Sequence, residues 1–402
     1  MPTLILMVLL ACIQSSSRRT SVVAFRPRNI PGRSKQTTRL HQANFFENLQ
    51  RSFSQTAAGT MGDDNKATYT VGITGANGLV GSALRNELAT ASPTVNGKPV
   101  RVVSLTRSTT AAPLEDSDTS SSVSWNPSAA DPTEIVHPSV VSELDAIVHL
   151  SGENVSTGQG PLGFLGIRPW TDSKKKEILR SRVKLTTALS NVVAASEKRI
   201  TLLTASGVGA YGDDFIDDSK EAVDESYDIS QTKGFLADVS RAWEAATETA
   251  SKKQGSQVVN MRFGVVMSTK GGALGKLYPI FMLGGGGNVG SGQQYFSFIS
   301  ARDIARAIVH TLQTPSLRGP VNLCAPNPCT NAEFTQALGS NINRPTVIPL
   351  PSFAVSLLFG EMGEEMLLGG VRCIPTKLTR SGFEFLHPTI DQAIKSALEE
   401  DI

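Results

Sequence analysis

Three glycines in the segment "GITGANGLVG" are spaced so that they could hold a phosphate group. Gly75, Gly78 and Gly81 lie between a strand-like apolar segment, 71–74, and a helix-like segment, 79–91. The first glycine permits a tight turn, the second lets the backbone approach a pyrophosphate, and the third lets the helix pack closely on the strand. Free amides at the helix N-terminus attract the phosphates. The pattern predicts a dinucleotide site formed by Gly75, Ala76, Asn77, Gly78, Leu79, Val80 and Gly81.

The end of the next predicted strand, "VRVVSLT" at 100–106, distinguishes between the two nicotinamide dinucleotides. NAD-specific sites place an acidic residue there, which binds the ribose 2′-hydroxyl. In this chain Arg107 follows the strand, and the next acidic residue is Glu115. An arginine donates paired, charge-assisted hydrogen bonds to a 2′-phosphate, which a carboxylate would repel. The sequence therefore predicts NADP(H) rather than NAD(H).

A later predicted strand, 145–151, ends in small residues. In open parallel sheets a ligand lies outside the carboxyl ends of the strands, and small side chains leave room for it there. We expect Leu150, Ser151 and Gly152 to line the cofactor site. Glu153 follows them, and is either an acidic group in the pocket or an acceptor at a helix cap.

Strand-like and helix-like segments alternate along the first two thirds of the chain. The strand-like segments are 71–74, 100–106, 123–125, 145–151, 199–206 and 257–267, and the main helical segments begin at Leu79, after Thr171 and at Phe235. This alternation predicts parallel strands joined by right-handed helical crossovers. Near-continuous apolar strands are typical of a sheet that is covered on both faces. The predicted fold class is α/β, a Rossmann-like doubly wound parallel sheet.

The pattern changes after residue 268, where a glycine-rich stretch and a proline-rich region follow. We expect three units. They are a presequence with a disordered linker at 1–66, an NADP-binding Rossmann domain at 67–268, and a smaller C-terminal α+β substrate lobe at 269–402 that is interleaved with the sheet.

Composition excludes several classes of function. The net charge is +2, and because residues 1–46 contain seven basic and no acidic residues, residues 47–402 carry −5. A mildly acidic body argues against a nucleic-acid-binding surface. Beyond the N-terminal segment, no run of about 20 apolar residues predicts a membrane span. Three cysteines outside that segment predict no disulfide framework, and the scattered histidines predict no metal site.

The first 46 residues have the composition of targeting segments. The run "LILMVLLACI" at 4–13 is an apolar segment of signal-peptide length, and a stretch rich in Ser, Arg, Thr and Gln without acidic residues follows it. This arrangement resembles the bipartite presequences of algae with secondary plastids and predicts import into the plastid stroma. The alternative is a secretory signal followed by a basic linker, which predicts a secreted protein.

Several motifs together resemble those of a known family. They are "LSGENV", "RPWTDSKKKEILRSRV", "SGVGAYGDD", "RFGVVMSTKGGALGK", "GSGQQYFSFISARDIARAI", "LRGPVNLCAPNPCTNAEF" and "GGVRCIPTKL". They are similar to the extended short-chain dehydrogenases/reductases, within the atypical subgroup of "epimerase family" proteins that carry a C-terminal domain of unknown function. That subgroup includes a plant plastid member associated with chloroplast division. The resemblance covers about residues 70–400, implies an NADP-binding Rossmann fold and leaves the substrate open.

The resemblance also implies which residues bind the cofactor. The positions of the subgroup correspond to Gly75, Gly78, Gly81, Arg107, Ser151 and Gly152. Arg182, on the helix after "TDSKKKEIL", is a further candidate for the outer face of the cofactor. The alternative for Arg182 is a solvated charge on the helix surface.

The proton relay of the wider family is incomplete in this sequence. Short-chain dehydrogenases use a Tyr hydroxyl whose pKa is lowered by a Lys four residues later on the same helix face. None of the five tyrosines is followed by Lys at this spacing, and "KGFLADVSRAWEAA", where the pair belongs, contains no Tyr. Ser206 matches the strand-end serine of the family. Tyr211 is either a proton donor or a packing residue, and no lysine is spaced so that it lowers the pKa of Tyr211.

Polar residues elsewhere could bind an unidentified small-molecule substrate. Glu153, Arg262, Lys276 and Gln294 are candidates for binding an anionic or polar substituent. The alternative for the residues of the glycine-rich lobe is a solvated loop.

Two functions are compatible with these residues. The first is an NADP-dependent reductase or epimerase that acts on an unknown carbonyl or sugar-nucleotide-like substrate with a non-standard acid/base set. The dinucleotide motif and Ser206 favour it. The second is a catalytically inactive, NADP(H)-bound plastid scaffold or redox sensor, in plastid division among other processes. The missing Tyr–Lys pair favours this second function.

Overall fold

The computed structural model describes five ranges of the chain, which are 68–106, 120–125, 135–155, 169–213 and 221–399. The predictions for the presequence and for Arg107 lie outside these ranges.

The strands within them are β1 (Tyr69–Thr74), β2 (Thr94–Val95), β3 (Lys98–Thr106), β4 (Ser120–Ser124), β5 (Ala146–His149), β6 (Thr201–Gly207), β7 (Val258–Phe263), β8 (Val265–Met267), β9 (Tyr295–Phe296), β10 (Phe298–Ser300), β11 (Gly319–Leu323) and β12 (Cys329–Thr330). The α-helices are α1 (Leu79–Thr90), α2 (Pro138–Glu143), α3 (Asp172–Ala195), α4 (Phe235–Ala245), α5 (Glu248–Ser251), α6 (Gly272–Met282), α7 (Ala301–Gln313), α8 (Asn331–Asn341), α9 (Ser352–Gly363), α10 (Thr376–Arg380) and α11 (Ile390–Glu399). Short 3₁₀ helices span Val208–Tyr211 and Ile229–Gln231, and a π-helix spans Glu364–Leu368.

The main sheet changes its winding direction at β1. This strand pairs in parallel with β3 on one side and with β5 on the other. The sheet continues from β3 to β4, and from β5 through β6 and β7 to β11, with every one of these pairs parallel. The short strand β2 pairs with the beginning of β3 in the antiparallel direction. The predicted Rossmann-like doubly wound sheet is confirmed, and its switch point is the crevice between the carboxyl ends of β1 and β5.

Helices cover both faces of this sheet with apolar side chains. On one face, Leu84 of α1 and Ile304 of α7 belong to a single buried cluster. On the other face, Val141 of α2 and Leu189 and Val192 of α3 belong to a second cluster. Because apolar surface is removed from water on both sides, the strands between the helices are apolar along nearly their whole length.

The sequence predicts one strand over 257–267, but the structure contains two. β7 belongs to the main sheet, whereas β8 pairs with β10 in a separate two-stranded sheet. Gly264 separates them, and a Cβ there would lie 3.0 Å from the carbonyl oxygen of Ser297 and 3.1 Å from the Cβ of Cys324. Only glycine lets these backbones approach so closely, and the chain leaves the main sheet at this point.

The chain beyond residue 268 contributes both to the main sheet and to a core of its own. β11 extends the main sheet beside β7. Leu274 of α6, Phe334 of α8 and Ile394 of α11 form the separate buried cluster. The segment after the π-helix returns to the main sheet, where Val371 is buried beside Tyr211. The C-terminal part therefore packs against the carboxyl end of the main sheet.

Candidate functional site

The turn between β1 and α1 requires glycine for reasons of space. Gly75 has a φ of +71°, and a Cβ there would lie 3.0 Å from the carbonyl carbon of Leu150. A Cβ at Gly81 would lie only 2.2 Å from the carbonyl oxygen of Gly75, and a Cβ at Gly78 would lie 3.2 Å from the same oxygen. The first turn of α1 therefore packs directly on the backbone of the preceding loop, as a phosphate-binding turn requires.

The N-terminus of α1 has no side-chain cap. Gly78 is the N-cap residue and offers no acceptor to the amides of the first turn, which begins with Leu79 and Val80 and contains no acidic residue. Asn77, in the loop after Ala76, accepts a hydrogen bond from Arg85 instead (3.1 Å). Uncapped amides at a helix start bind water or an anionic ligand. The residues of this turn therefore fit the pyrophosphate of a dinucleotide.

Thr74 and His149 hold the carboxyl ends of β1 and β5 side by side. The Oγ1 of Thr74 lies 2.7 Å from Nδ1 of His149 and accepts a hydrogen bond from the backbone amide of Leu150 (3.2 Å). Burial, followed by the positive charge of Arg182, lowers the pKa of His149 to about 3. His149 is therefore neutral at physiological pH. Its bond to Thr74 links β1 to the end of β5, just before Ser151 and Gly152.

Arg182 lies against the chain that follows β5. A Cβ at Gly152 would lie 3.4 Å from its guanidinium carbon, and its Nη1 donates to the carbonyl oxygens of Glu153 (2.9 Å) and Ile178 (3.2 Å). The guanidinium lies 4.8 Å from the ring centroid of Trp243. Burial lowers the pKa of Arg182 to about 10, which leaves the group charged at neutral pH. The structure thus places a cation beside Gly152, in the position of a cleft wall.

Glu153 connects the end of β5 to helix α3. Its carboxylate pairs with Lys174, and its backbone amide donates to the hydroxyl of Ser181 (3.0 Å). Through these bonds Glu153 links the chain after β5 to helix α3. Glu153 is not among the residues that line the pocket beside Arg182.

A pocket of about 290 Å³ lies beside Arg182, past the carboxyl ends of β6 and β7. Helix α4 contributes Leu236, Val239 and Trp243 to its lining, and Ser206 and Lys233 supply polar groups. The C-terminal part of the chain contributes further residues, among them Tyr295 and Met366. The pocket is therefore built from both sides of residue 268.

Ser206 lies at the end of β6, between the pocket and a buried ion pair. Its hydroxyl donates to Oε1 of Glu244 (2.9 Å), which also accepts from Nε of Arg262 (2.8 Å), while Nη2 of Arg262 donates to Oε2 (2.8 Å). Arg262 is only 2% exposed. Although burial disfavours its charge, the hydrogen bonds and the charge of Glu244 hold the pKa of Arg262 above its ordinary value. Arg262 is thus paired with Glu244. Of Ser206, Glu244 and Arg262, only Ser206 lines the pocket.

Tyr211 is packed below the pocket with its hydroxyl occupied. The side chain is fully buried, and the hydroxyl donates to Oδ1 of Asn322 (2.8 Å). The guanidinium carbon of Arg262 lies 4.9 Å from the centroid of the tyrosine ring. Burial raises the pKa of Tyr211 well above its ordinary value. Of the two catalytic candidates from the sequence, the structure brings Ser206 to the pocket and keeps Tyr211 away from it.

Lys276 and Gln294 lie away from the described lining of the pocket. Lys276 is half-buried on α6, and burial lowers its pKa. The side-chain amide of Gln294 donates to the carbonyl oxygens of Val289 and Leu367, both at 2.9 Å. These bonds make Gln294 a connection between two segments of the C-terminal part. The structure does not bring either residue together with Ser206.

Comparison with known proteins identifies the family. Residues 71–324 match the family described as "NAD dependent epimerase/dehydratase family", and residues 350–397 match a domain of unknown function, DUF1731. The chain belongs to the NAD dependent epimerase/dehydratase family.

Curated relatives and solved structures agree with this assignment. An epimerase family protein of Mycobacterium bovis is 40% identical over 328 residues, which are 82% of this chain and 97% of that protein. The epimerase family protein SDR39U1 homolog, chloroplastic, of Arabidopsis thaliana is 33% identical over 83% of this chain and 88% of its own length. The crystal structure of human epimerase family protein SDR39U1 (isoform 2) with NADPH is 28% identical, has a TM-score of 0.65, and covers 82% of this chain and 99% of its own. The family resemblance of the sequence motifs is confirmed.

Helix α4 of this epimerase-family chain presents no titratable pair to the pocket. Leu236 and Ser240 are four residues apart, and both line it. The N-terminus of the helix is occupied by Glu365 of the π-helix, whose carboxylate accepts from the backbone amides of Phe235 (2.6 Å) and Leu236 (2.9 Å). A carboxylate stabilises the positive end of a helix dipole, so the C-terminal part fixes α4 in place.

Glu244 and Glu365 are the residues of the candidate site that the sequence does not reveal. Glu244 lies in a helix beside small and apolar residues, where an acidic residue is typical of a solvated face. Its partners on β6 and β7 are distant in sequence. Glu365 lies in a segment with three acidic residues among five, 361–365, which is typical of a solvated surface. No local spacing pattern distinguishes either residue from a surface charge.

Two further properties hold for the part of the chain that the structure describes. Within it, no three His, Cys, Asp or Glu side chains are grouped so that they could bind a metal ion. Within the same ranges, no helix combines the length and the apolar character needed to cross a bilayer.

Replacement of Gly81 by alanine tests the close packing of the β1–α1 turn. We expect Gly81→Ala to lower the free energy of unfolding by about 3 kcal/mol, because the new Cβ overlaps backbone atoms that cannot rotate away. Gly271→Ala is the matched control, since its Cβ would lie 3.9 Å from the nearest atom and its φ is not in the left-handed region. Urea unfolding measures the free energy of unfolding of both variants. Equal stability of the two variants would contradict the steric requirement.

The buried neutral His149 makes stability depend on pH in a defined direction. Its pKa is about 3 in the folded chain and about 6.5 when unfolded, so the unfolded state binds an extra proton between these values. Stability is therefore complete above pH 6.5 and is lost as the pH falls. Between pH 6 and pH 4, wild type should lose about 1.4 kcal/mol per pH unit more than His149→Gln. Parallel pH profiles in urea unfolding would show that His149 titrates normally in the folded chain.

Proposed function

We propose that this protein binds NADP(H) and transfers hydride between it and a small-molecule substrate, as a reductase or epimerase with a non-standard acid/base set. One observation carries the proposal. Arg182 lies against Gly152 at the switch-point crevice and also lines the pocket that contains Ser206. The pocket thus adjoins the crevice in which doubly wound sheets bind dinucleotides.

Three groups of residues are proposed to hold the cofactor. The turn from Gly75 to Gly81 offers uncapped amides to the pyrophosphate, and Arg107 offers a cation to the 2′-phosphate. Ser151, Gly152 and Arg182 border the crevice. The NADPH in the human relative supports the choice of NADP(H) over NAD(H). Hydride transfer at the nicotinamide ring is the chemistry that this cofactor supplies when it is bound.

The C-terminal residues 269–402 are proposed to form the substrate lobe. Tyr295, Phe296 and Met366 line the pocket opposite α4, and Glu365 fixes the first turn of that helix. A boundary near residue 268 is supported by Gly264, where the chain leaves the main sheet. The glycine turn would then bind the cofactor, while both units select the substrate.

A specific observation favours the alternative function, a catalytically inactive scaffold or redox sensor. Helix α4 contains no Tyr, the side chains that it presents to the pocket include Leu236 and Ser240 but no Tyr–Lys pair, and Tyr211 is bonded to Asn322. A protein of this kind would still bind NADP(H). In a plastid, the fraction of the protein that holds NADPH rather than NADP⁺ would follow the ratio of the two in the stroma. The resemblance of the sequence motifs to a subgroup with a plastid member makes plastid division one proposed setting for such a protein.

The proposed location is the plastid stroma. The apolar run at 4–13 and the basic segment after it support import through a secondary plastid envelope. The Arabidopsis thaliana relative, whose name includes "chloroplastic", supports the same location. A secreted protein remains the alternative that the test below distinguishes.

Turnover distinguishes the enzyme from the scaffold. NADPH consumption is measured by absorbance with purified protein against a library of aldehydes and ketones. We expect sustained turnover with at least one class, and Ser206→Ala should reduce kcat/KM about a hundredfold because the substrate loses its polar contact at the reacting end. Tyr211→Phe should retain kcat within about threefold, while it lowers the free energy of unfolding by about 1 to 2 kcal/mol, since Asn322 loses its buried donor.

Two outcomes would contradict this proposal. Bound NADPH that no carbonyl compound oxidises would favour the scaffold. Loss of turnover in Tyr211→Phe at unchanged stability would assign the acid/base role to Tyr211 instead of Ser206.

A fusion of residues 1–66 to a fluorescent protein tests the location. In an alga with a secondary plastid, we expect fluorescence inside the plastid, coincident with chlorophyll emission. A matched fusion of residues 1–25 retains the apolar run but lacks most of the basic segment, and should not reach the stroma. Fluorescence in the medium from the longer fusion would support secretion.

A further inference from the structure

Two cysteines that are 49 residues apart in the sequence meet inside the structure. The Sγ of Cys373 lies 3.3 Å from the Sγ of Cys324, and both residues are free cysteines without exposed surface. The sulfur–sulfur bond of a disulfide is about 2.05 Å long, so the two atoms need to approach each other by roughly 1.3 Å. A small rotation of one or both side chains would therefore join them.

Neighbouring hydrogen bonds keep the two backbones together at this point. Cys324 directly follows β11, and its Sγ donates to the carbonyl oxygen of Cys373 (3.6 Å). The side-chain amide of Asn322 donates to the carbonyl oxygen of Ile374 (2.9 Å). The backbone amide of Cys373 donates to the hydroxyl of Ser297 (3.0 Å). The closeness of the two sulfurs is therefore a property of the fold in this region rather than of one side-chain rotamer.

Cys373 is continuous with one wall of the pocket. Gly369, Gly370 and Val371 line the pocket, and Val371 belongs to the same buried cluster as both cysteines. The carbonyl oxygen of Val371 accepts a hydrogen bond from the hydroxyl of Ser297 (2.5 Å). Because β11 belongs to the main sheet, a covalent bond from Cys373 to the residue after β11 would connect this wall to the sheet.

We propose that Cys324 and Cys373 form a reversible disulfide when a hydroperoxide oxidises the protein, and that this disulfide fastens the pocket wall at 369–371 to the main sheet. The pair is a modification site, separate from Ser206 and from the glycine turn. The proposal does not depend on hydride transfer, because it concerns the two thiols alone. A dithiol reductant restores the free cysteines by thiol–disulfide exchange.

The oxidation balances with hydrogen peroxide as the oxidant. Burial raises the pKa of Cys324 well above its ordinary value, so Cys324 keeps its proton and Cys373 takes the first step. Cys373 releases a proton and its thiolate attacks the peroxide. The O–O bond breaks, a sulfenic acid forms on Cys373, and the departing hydroxide takes up the proton as water.

The second step closes the disulfide. The sulfur of Cys324 attacks the sulfur of the Cys373 sulfenic acid, the S–S bond forms and the S–O bond breaks. The departing hydroxide leaves as water with the proton of Cys324. Two thiols and one peroxide thus give one disulfide and two waters, and two electrons pass from sulfur to oxygen.

Burial makes the reaction slow and selective for small oxidants. The thiolate is the reactive form of cysteine, and an apolar environment disfavours it. A large oxidant is excluded from a thiol without exposed surface, whereas peroxide is close to water in size. The pocket reaches Val371, two residues before Cys373. We expect the disulfide to form over hours rather than seconds.

Peptide mass spectrometry of the full chain tests the pairing. The purified protein is kept for several hours with millimolar hydrogen peroxide, the remaining thiols are alkylated, and the protein is digested with trypsin. Cys373 then lies in the peptide 373–377, and Cys324 lies in the peptide 319–372, which stays whole because a proline follows Arg344. We expect a disulfide between these two peptides, and their separation by dithiothreitol.

Cys329→Ala is the matched control, because Cys329 lies in the same tryptic peptide as Cys324. The Sγ of Cys329 donates to the carbonyl oxygen of Phe296 (3.7 Å), and burial raises the pKa of Cys329 to about 12. The cross-link should persist in Cys329→Ala and disappear in Cys324→Ala. Wild type and Cys329→Ala together test the pairing even if Cys324→Ala does not fold.

Two further readouts test the effect of the disulfide on the pocket wall. Peroxide treatment should raise the midpoint of thermal unfolding by about 5 °C in wild type and in Cys329→Ala, because the cross-link restricts the unfolded chain. In wild type, hydrogen exchange of the backbone amides at 369–371 should slow by about fivefold. Dithiothreitol should reverse both changes, and Cys324→Ala should show neither.

Several results would overturn the proposal. They are a peptide 373–377 that remains fully alkylated, oxidation of Cys373 to a sulfinic or sulfonic acid without a cross-link, and a cross-link that Cys329→Ala abolishes. An unchanged thermal midpoint, or unchanged exchange at 369–371 in the cross-linked protein, would contradict the role at the pocket wall. NADPH turnover enters none of these readouts, so a failure of the proposed function is distinguishable from a failure of this proposal.

Discussion

The ion pair between Glu244 and Arg262 is the constraint on which the pocket depends. It joins the end of α4 to β7, and through Ser206 to β6. Two charges that are removed from water are stable only while they remain together, so α4 cannot shift relative to these strands without exposing or separating them. Glu365 fixes the other end of the same helix through its first amides. The helix that forms one wall of the pocket is thereby held at both ends by carboxylates.

The cofactor crevice depends on close contacts between backbones rather than on an ion pair. Gly75 and Gly81 let the loop, the helix start and the chain after β5 approach to distances that no side chain would allow. Arg182 connects this backbone cradle to the pocket, since it contacts Gly152 and stacks on Trp243 of α4. This arrangement would hold a cofactor and the proposed substrate next to each other.

The sequence predicts the features that depend on neighbouring residues and misses those that depend on distant ones. The alternation of strands and helices, the glycine turn and the start of a helix after Thr171 follow from local spacing, and the structure confirms the sheet that they imply. The strand predicted over 257–267 is wrong at Gly264, because that break is caused by Ser297 and Cys324. The placement of Tyr211 against Asn322 and of Glu244 against Ser206 depends on contacts between segments far apart in the chain. The periodicity of apolar residues along the sequence does not indicate contacts of this kind.

The central claim is the proposed hydride transfer beside Ser206, which requires the nicotinamide end of the cofactor to face Ser206 across the pocket. A crystal structure of the protein with NADP⁺ tests it most directly. The account predicts that the Oγ of Ser206 is the side-chain hydroxyl nearest to C4 of the nicotinamide, with room for a substrate group between them, and that Tyr211 keeps its bond to Asn322. A nicotinamide ring outside the pocket, or a Tyr211 hydroxyl released from Asn322 and directed at C4, would contradict it.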